Sequence, residues 1–171
     1  MKIKIPGIRQ LQSSLAERLR TSMLAALRRL VRARFADVTH LSTAQLAAWL
    51  ADPERIPPML LDVRSAAEYA VSHLPGAQRV DPESTADEVI ANIPADRSWV
   101  MYCSVGYRSA HLAQRVLQAG VTTVSNLDGA IFSWVREGRD LDSDRPSVQV
   151  HPYSRIAAKL LRPEHRAPLA C

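Results

Sequence analysis

The sequence predicts an α/β fold: a mostly parallel central sheet with helices on both faces, an N-terminal amphipathic helix before it and an irregular C-terminal tail after it. Three observations predict this. Short apolar runs alternate with helix-forming stretches from residue 37 to residue 138, the pattern of a parallel sheet whose crossovers are helices. Met59–Leu60–Leu61 and Trp99–Val100–Met101–Tyr102 are apolar without alternation, as strands covered on both faces are. The intervening stretches begin at Ser or Thr and close at Gly or Pro, the signals that start and stop helices. The expected organisation is a basic helical extension at 1–34, one domain at 35–142 and a tail at 143–171.

Pro6–Gly7 interrupts the start of the extension, and from Gln10 to Arg34 there is neither Gly nor Pro. Leu11, Leu15, Leu19, Met23, Leu27 and Leu30 recur at three- and four-residue spacing, which is one face of a helix. Arg18, Arg28, Arg29 and Arg32 fall mainly on the other side, with Arg20 and Arg34 at the edge. Three readings of residues 10–34 stand. The helix packs on the domain or on a second copy of the chain; it lies on a membrane surface; or it is a cleavable organellar transit peptide, being rich in arginine and poor in acids. No stretch holds the roughly eighteen apolar residues of a membrane span, and no compact apolar run suggests secretion.

The domain opens with Asp37–Val38–Thr39–His40–Leu41 as a short strand. Ser42 caps a short helix through Ala44–Leu50, which Asp52–Pro53 ends. Met59–Val63 is the next strand, with Asp62 near its end. Ser65 followed by Glu68 is a capping-box pattern for the helix after it. His73–Leu74–Pro75–Gly76–Ala77 is a turn, Gln78–Arg79–Val80 a short strand, and Thr85–Ile93 a helix stopped by Pro94. Trp99–Tyr102 is a strand, Ser109–Ala119 a helix closed by Gly120, and Val121–Leu127 a strand. Gly129 opens a last helix, Ala130–Val135, ending at Gly138. In the tail, Pro146, Pro152, Pro163 and Pro168 leave room for one short helix between Tyr153 and Leu161, and the tail is expected to wrap partly around the domain.

The net charge of +5 is unevenly placed. Residues 1–34 carry nine Lys/Arg against Glu17 alone, residues 35–142 eight against fourteen Asp/Glu, and residues 143–171 five against two. The basic character therefore belongs to the ends. The centre has no basic stripe with interleaved aromatics, so no nucleic-acid partner is expected. Two cysteines, Cys103 and the terminal Cys171, make no disulfide framework. They fit a reducing compartment: the cytoplasm, with membrane association if the helix binds a surface, or mitochondria if the chain is eukaryotic.

The chemistry concentrates at Cys103. A strand runs into this cysteine, then a tight polar loop, Ser104–Val105–Gly106–Tyr107–Arg108, then a helix starting near Ser109. Unpaired N–H groups and the positive end of a helix dipole favour negative charge there. Successive N–H groups in a curled loop form an anion-binding nest, for which Gly106 supplies a backbone conformation that a side chain would hinder. Ser104 and Ser109 have hydroxyls to offer a sulfur or an anion, and Arg108 adds fixed positive charge. In open parallel sheets the site lies beyond the C-terminal strand ends, where Asp62 also falls.

Three segments together resemble a single-domain rhodanese, a sulfurtransferase. They are Leu61–Asp62–Val63–Arg64, continuing through Glu68–Tyr69 to His73–Leu74–Pro75–Gly76–Ala77; the loop Cys103–Ser109; and Gly129 with Trp134 and Gly138. They fall in the family's order and cover residues 36–142, although the family usually has Gly at Ser72 and often Pro at Asp140. Val150–His151–Pro152–Tyr153 is similar to an extension of some bacterial rhodanese-like proteins. The resemblance implies that Cys103 takes the outer sulfur of thiosulfate or a persulfide donor and passes it to cyanide or a thiol. The loop Ser104–Ser109 would bind the small anionic donor, and no metal or organic cofactor would be needed. Only four residues separate Cys103 from Arg108, one fewer than in cysteine phosphatases, and the smaller ring favours a sulfur atom over a phosphoryl group. The rival readings are a non-catalytic rhodanese-fold interaction or membrane-adaptor module, and a phosphatase or arsenate reductase.

The remaining candidates read as supporting residues. Asp62 and Arg64 are expected to brace the loop, with Arg64 pairing to Glu68 four residues on. His73 sits in a turn and is expected to bond backbone groups instead of acting as a base. Trp134 is expected in the core and His111 at the surface, and Cys171 reads as an incidental terminal thiol, with resolution of a persulfide as a disulfide the alternative.

Overall fold

Strands Thr39–Ser42 (β1), Met59–Asp62 (β2), Gln78–Arg79 (β3), Trp99–Tyr102 (β4) and Val124–Asp128 (β5) form one parallel sheet in the order β1-β5-β4-β2-β3. The computed structural model describes residues 8–94, 96–144 and 148–169, with side chains from residue 12 onward. Helices Ile8–Arg34 (α1), Thr43–Ala51 (α2), Ala66–Val71 (α3), Ala86–Asn92 (α4), Tyr107–Gln118 (α5) and Ala130–Arg136 (α6) connect and cover the strands. The boundaries differ from the sequence reading by a few residues. The strand expected at Val121–Leu127 begins at Val124, and α5 begins at Tyr107, two residues before Ser109, because Gly106 turns the chain into the helix directly.

All four residues of β4 are buried, which explains its unbroken apolar run: it is covered on both faces. One face carries Val89 and Ile93 near α4, with Ala110, Leu112, Ala113 and Val116 of α5. The other carries Leu46 of α2, the run Ala130–Ile131–Phe132 with Trp134 and Val135 of α6, and Val150, Leu160 and Leu161 of the tail. The expected capping boxes form at Ser42 with Gln45, Ser65 with Glu68 and Thr85 with Glu88, so each short helix has its first N–H groups satisfied locally. The tail crosses the second face by pairing Val150 N–H with the His165 carbonyl at 2.8 Å. Its predicted helix is a 3-10 turn at Ala157–Leu160, followed by another at Pro163–His165.

Helix α1 docks on the domain through only part of its apolar residues. Leu24 and Val31 are buried and Leu27 is half-buried, whereas Leu15, Leu19, Met23 and Leu30 point to solvent. Part of the arginine side faces the domain instead. The Asp128 carboxylate is buried at the end of β5 and takes Arg28 and Arg32, both at 2.7 Å. Glu17 takes Arg136 of α6 at 2.9 Å and Arg162 of the tail at 3.1 Å. A carboxylate buried beside the sheet needs cationic partners, and α1 supplies two of them one turn apart. Pro6–Gly7 and Cys171 lie outside the described residues. Among the described residues, no helix is long and apolar enough to cross a membrane.

Candidate active site

The C-terminal ends of β2, β4 and β5 bring Asp62, Tyr102 and Asp128 to one edge of the sheet, and Cys103 follows β4 directly. Cys103 is 1% exposed. Its Sγ accepts a hydrogen bond from the Gly106 N–H at 3.2 Å, so one N–H of the loop points inward, as a nest requires. Gly106 makes this turn at φ +104, a left-handed conformation costly for other residues. From outside, the first turn of α6 grips the same loop. Ile131 N–H donates to the Cys103 carbonyl at 3.2 Å, and Phe132 N–H to the Ser104 carbonyl at 3.1 Å. The chain can enter α6 this closely only through Gly129, at φ +75, where an added Cβ would lie 2.1 Å from Ser133 Oγ and 2.9 Å from Ser133 Cβ.

Arg108 does not stand free. It binds Glu68 through both terminal nitrogens, at 2.9 and 2.8 Å, and reaches Ser104 Oγ at 3.1 Å. Arg64 was expected to hold Glu68 and does not. It precedes the helix cap Ser65, so it is not on a shared helix face, and it pairs with Asp62 at 2.8 and 2.6 Å while bonding the Ser72 carbonyl at 2.6 Å. The two serines are also turned elsewhere. Ser104 donates to Glu68 at 3.0 Å and Ser109 to Asn126 Oδ1 at 2.6 Å, so each hydroxyl is taken up by a buried acceptor. Asn126 in turn bonds Nδ1 of His40, whose other nitrogen meets the Phe35 carbonyl. This chain ties α5 to β5 and β1 beneath the loop. Among the remaining loop residues, Val105 is half-buried and Tyr107 is exposed, its ring edge-on to Phe35 at 5.2 Å.

Glu68 is the residue that the sequence reading missed as part of the site. Its role in the Ser65 capping box, visible as a local pattern, hid a second role across 40 positions. Burial pushes its carboxyl up, but the hydrogen bonds and charge of Arg108, with the Ser65 N–H and the Ser104 hydroxyl, outweigh this and hold it at about 2. The contribution is therefore complete above the ordinary value of 4.5 and drains away as pH falls toward 2. Glu68→Gln is expected to remove about 3 kcal/mol of acid-sensitive stability. Urea unfolding across this pH window should show a flatter decline for the variant; parallel curves for variant and wild type would refute the assignment.

The tail forms another wall. The Arg108 guanidinium lies 4.6 Å from the centre of the Tyr153 ring, a cation–π contact. Tyr153 is held at φ +64, and its N–H donates to His151 Nδ1 at 3.1 Å. Burial pushes His151 below its usual range. No local motif announces the Tyr153–Arg108 contact, which depends on where the tail returns. His73 bonds backbone, with Nδ1 3.2 Å from the Tyr69 carbonyl and its ring stacked on Tyr69 at 3.9 Å. Trp134 is buried, donating to the Asp140 carbonyl at 2.9 Å, and His111 is exposed. Among the described residues, no group of His, Cys, Asp and Glu is placed to hold a metal ion.

The model of the rhodanese-like domain family matches residues 42–137. The chain belongs to that family. A sulfurtransferase of Allochromatium vinosum is 35% identical over 101 residues, covering 59% of this chain and 92% of that protein. The Mycobacterium tuberculosis protein named probable adenylyltransferase/sulfurtransferase MoeZ is 33% identical over 107 residues, 61% of this chain. The match spans only 26% of MoeZ, so that protein is much longer than the shared rhodanese-like domain. The solution structure of the rhodanese-like domain of Anabaena Alr3790 superposes with a TM-score of 0.56 at 21% identity, covering 63% of this chain and 84% of that one. The rhodanese-like fold is thus shared with solved structures, and relatives of this chain are named sulfurtransferases.

Proposed function

We propose that the protein moves sulfane sulfur from thiosulfate or a persulfide donor to a thiol or to cyanide through a persulfide on Cys103. The supporting observation is the Cys103 sulfur at the floor of a short loop, hydrogen-bonded to the Gly106 N–H. In the first half-reaction the Cys103 thiolate attacks the outer sulfur of thiosulfate. A new S–S bond forms, the donor S–S bond breaks, and sulfite leaves with its electron pair. In the second, cyanide attacks the outer sulfur of the persulfide, thiocyanate departs and the thiolate is restored. Such a cycle gives ping-pong kinetics.

The residues divide this work. The Gly106 N–H faces negative charge on sulfur. Arg108, neutralised by Glu68 yet still partly exposed, holds the loop in shape and gives an anionic donor one cationic edge. Asp62 and Arg64 brace the strand end below. The division into an extension at 1–34, a catalytic domain at 35–142 and a tail at 143–171 belongs to the same proposal, with the tail supplying Tyr153. A reducing compartment such as the cytoplasm keeps the thiol available.

The test is intact mass. After treatment with thiosulfate the protein should gain one sulfur atom, mapped to the Cys103 peptide, and lose it to cyanide with release of thiocyanate. No gain, or a gain mapped to another residue, would sink the proposal.

A further inference from the structure

Helix α1 docks by one side and leaves the other to solvent. Leu15, Leu19, Met23 and Leu30 are between 47% and 66% exposed. With the exposed Ala26 they recur every three or four residues, forming one apolar stripe roughly 22 Å long. It lies opposite the buried Leu24 and Val31. By helical spacing, Arg18 and Arg29 flank the stripe on one side and Arg34 on the other. Among the described residues none of these three makes an ion pair, whereas Arg28 and Arg32 are held by Asp128. The helix's one acid, Glu17, is turned to Arg136 and Arg162. The outward side is therefore apolar along its centre, and the charges along its edges are all cationic.

We propose that this side of α1 lies flat on an anionic phospholipid bilayer. The leucines and Met23 would enter the acyl boundary, while Arg18, Arg29 and Arg34 meet headgroup phosphates. Charge complementarity selects this occupant. A second copy packed on the same stripe would bring arginines against arginines with no carboxylate between them. A stripe of five side chains also falls far short of the roughly 20–30 residues a side of a stable protein interface. A bilayer needs no such area. It offers an apolar layer parallel to the whole stripe and negative charge along both edges, and long arginine stems can lie along the boundary with their heads in the phosphate layer. The inference stands apart from the sulfur chemistry, since none of these residues belongs to the Cys103 site.

The experiment is flotation of the full chain with vesicles of phosphatidylcholine plus phosphatidylglycerol, beside vesicles of phosphatidylcholine alone. Flotation is expected with the anionic vesicles and should weaken as salt is added. Leu19→Ser with Met23→Ser is expected to lower the partition coefficient about ten-fold or more per residue. Arg18→Glu with Arg29→Glu should abolish the preference for anionic lipid. All four positions are exposed, so far-UV circular dichroism and the thermal midpoint should match wild type. No flotation, equal flotation on both vesicle types, or flotation unchanged in both variants would overturn the proposal. So would a dimer, seen by light scattering, that Leu19→Ser with Met23→Ser dissociates, because the stripe would then belong to a second copy.

Discussion

Cys103→Ser is expected to lower transfer of sulfur from thiosulfate to cyanide by at least about 10⁴-fold, to the uncatalysed rate. The substitution is nearly isosteric at a buried position, and the Gly106 N–H retains an acceptor, so the loop should keep its shape. What changes is the atom. A serine oxygen stays protonated near neutral pH and is a poor nucleophile toward sulfur, and an oxygen–sulfur bond would not form a stable carrier. Thiocyanate release by stopped assay, with circular dichroism to establish folding, checks this. A folded serine variant retaining a tenth of wild-type activity would mean that sulfur passes without a covalent stage.

In the proposed cycle the backbone would carry much of the anion binding at Cys103. Arg108 is matched by Glu68 at hydrogen-bonding distance in two places, and Arg64 is matched by Asp62. Two neutralised pairs leave little net charge in the cradle. In that cycle a directional N–H, that of Gly106, on a loop clamped by the first turn of α6 would stabilise charge at one point without drawing every anion in solution. Clamping would also limit reorganisation as the sulfur changes state in the proposed cycle, because Ile131 and Phe132 hold the carbonyls of the residues at and after the cysteine.

The order of strands and helices was legible because each step has a local cause: the apolar run of β4, the capping boxes at Ser42, Ser65 and Thr85, and Gly129 before α6. Cys103 and its loop were legible because strand, turn and helix follow one another without interruption. Contacts that cross the fold were not. Glu68 and Arg108 are 40 residues apart, and no periodicity links them. Which face of α1 is covered was not legible for a related reason. Hydrophobic spacing marks an apolar stripe but not which side of a helix is covered, and here Arg28 and Arg32 had a buried partner, Asp128, that only the tertiary fold reveals. Ser104 and Ser109 were read as free donors, and their acceptors likewise come from distant elements.

Asp62→Asn is expected to destabilise the fold by about 3–5 kcal/mol, lowering the thermal midpoint by about 10 °C or more. Both partners of the Asp62–Arg64 pair are 0% exposed. Arg64 Nη1 already has no hydrogen-bond partner among the described residues, so the guanidinium depends on Asp62 for most of its compensation. Asparagine can still accept one hydrogen bond but carries no charge, leaving a buried cation unmatched. The loss should propagate to the site. Asp62 pairs in register with Tyr102, the residue before Cys103, and Arg64 also holds the Ser72 carbonyl. The companion variant separates charge matching from packing. Asp62→Leu with Arg64→Met removes both charges and keeps apolar volume, and it should recover much of the stability lost by Asp62→Asn, since a buried pair contributes little beyond its own desolvation cost. Thermal and urea unfolding of the three proteins decides. If the double variant is less stable than Asp62→Asn, the pair stabilises the fold outright, and the hydrogen bond from Arg64 to Ser72 is the contact that cannot be replaced.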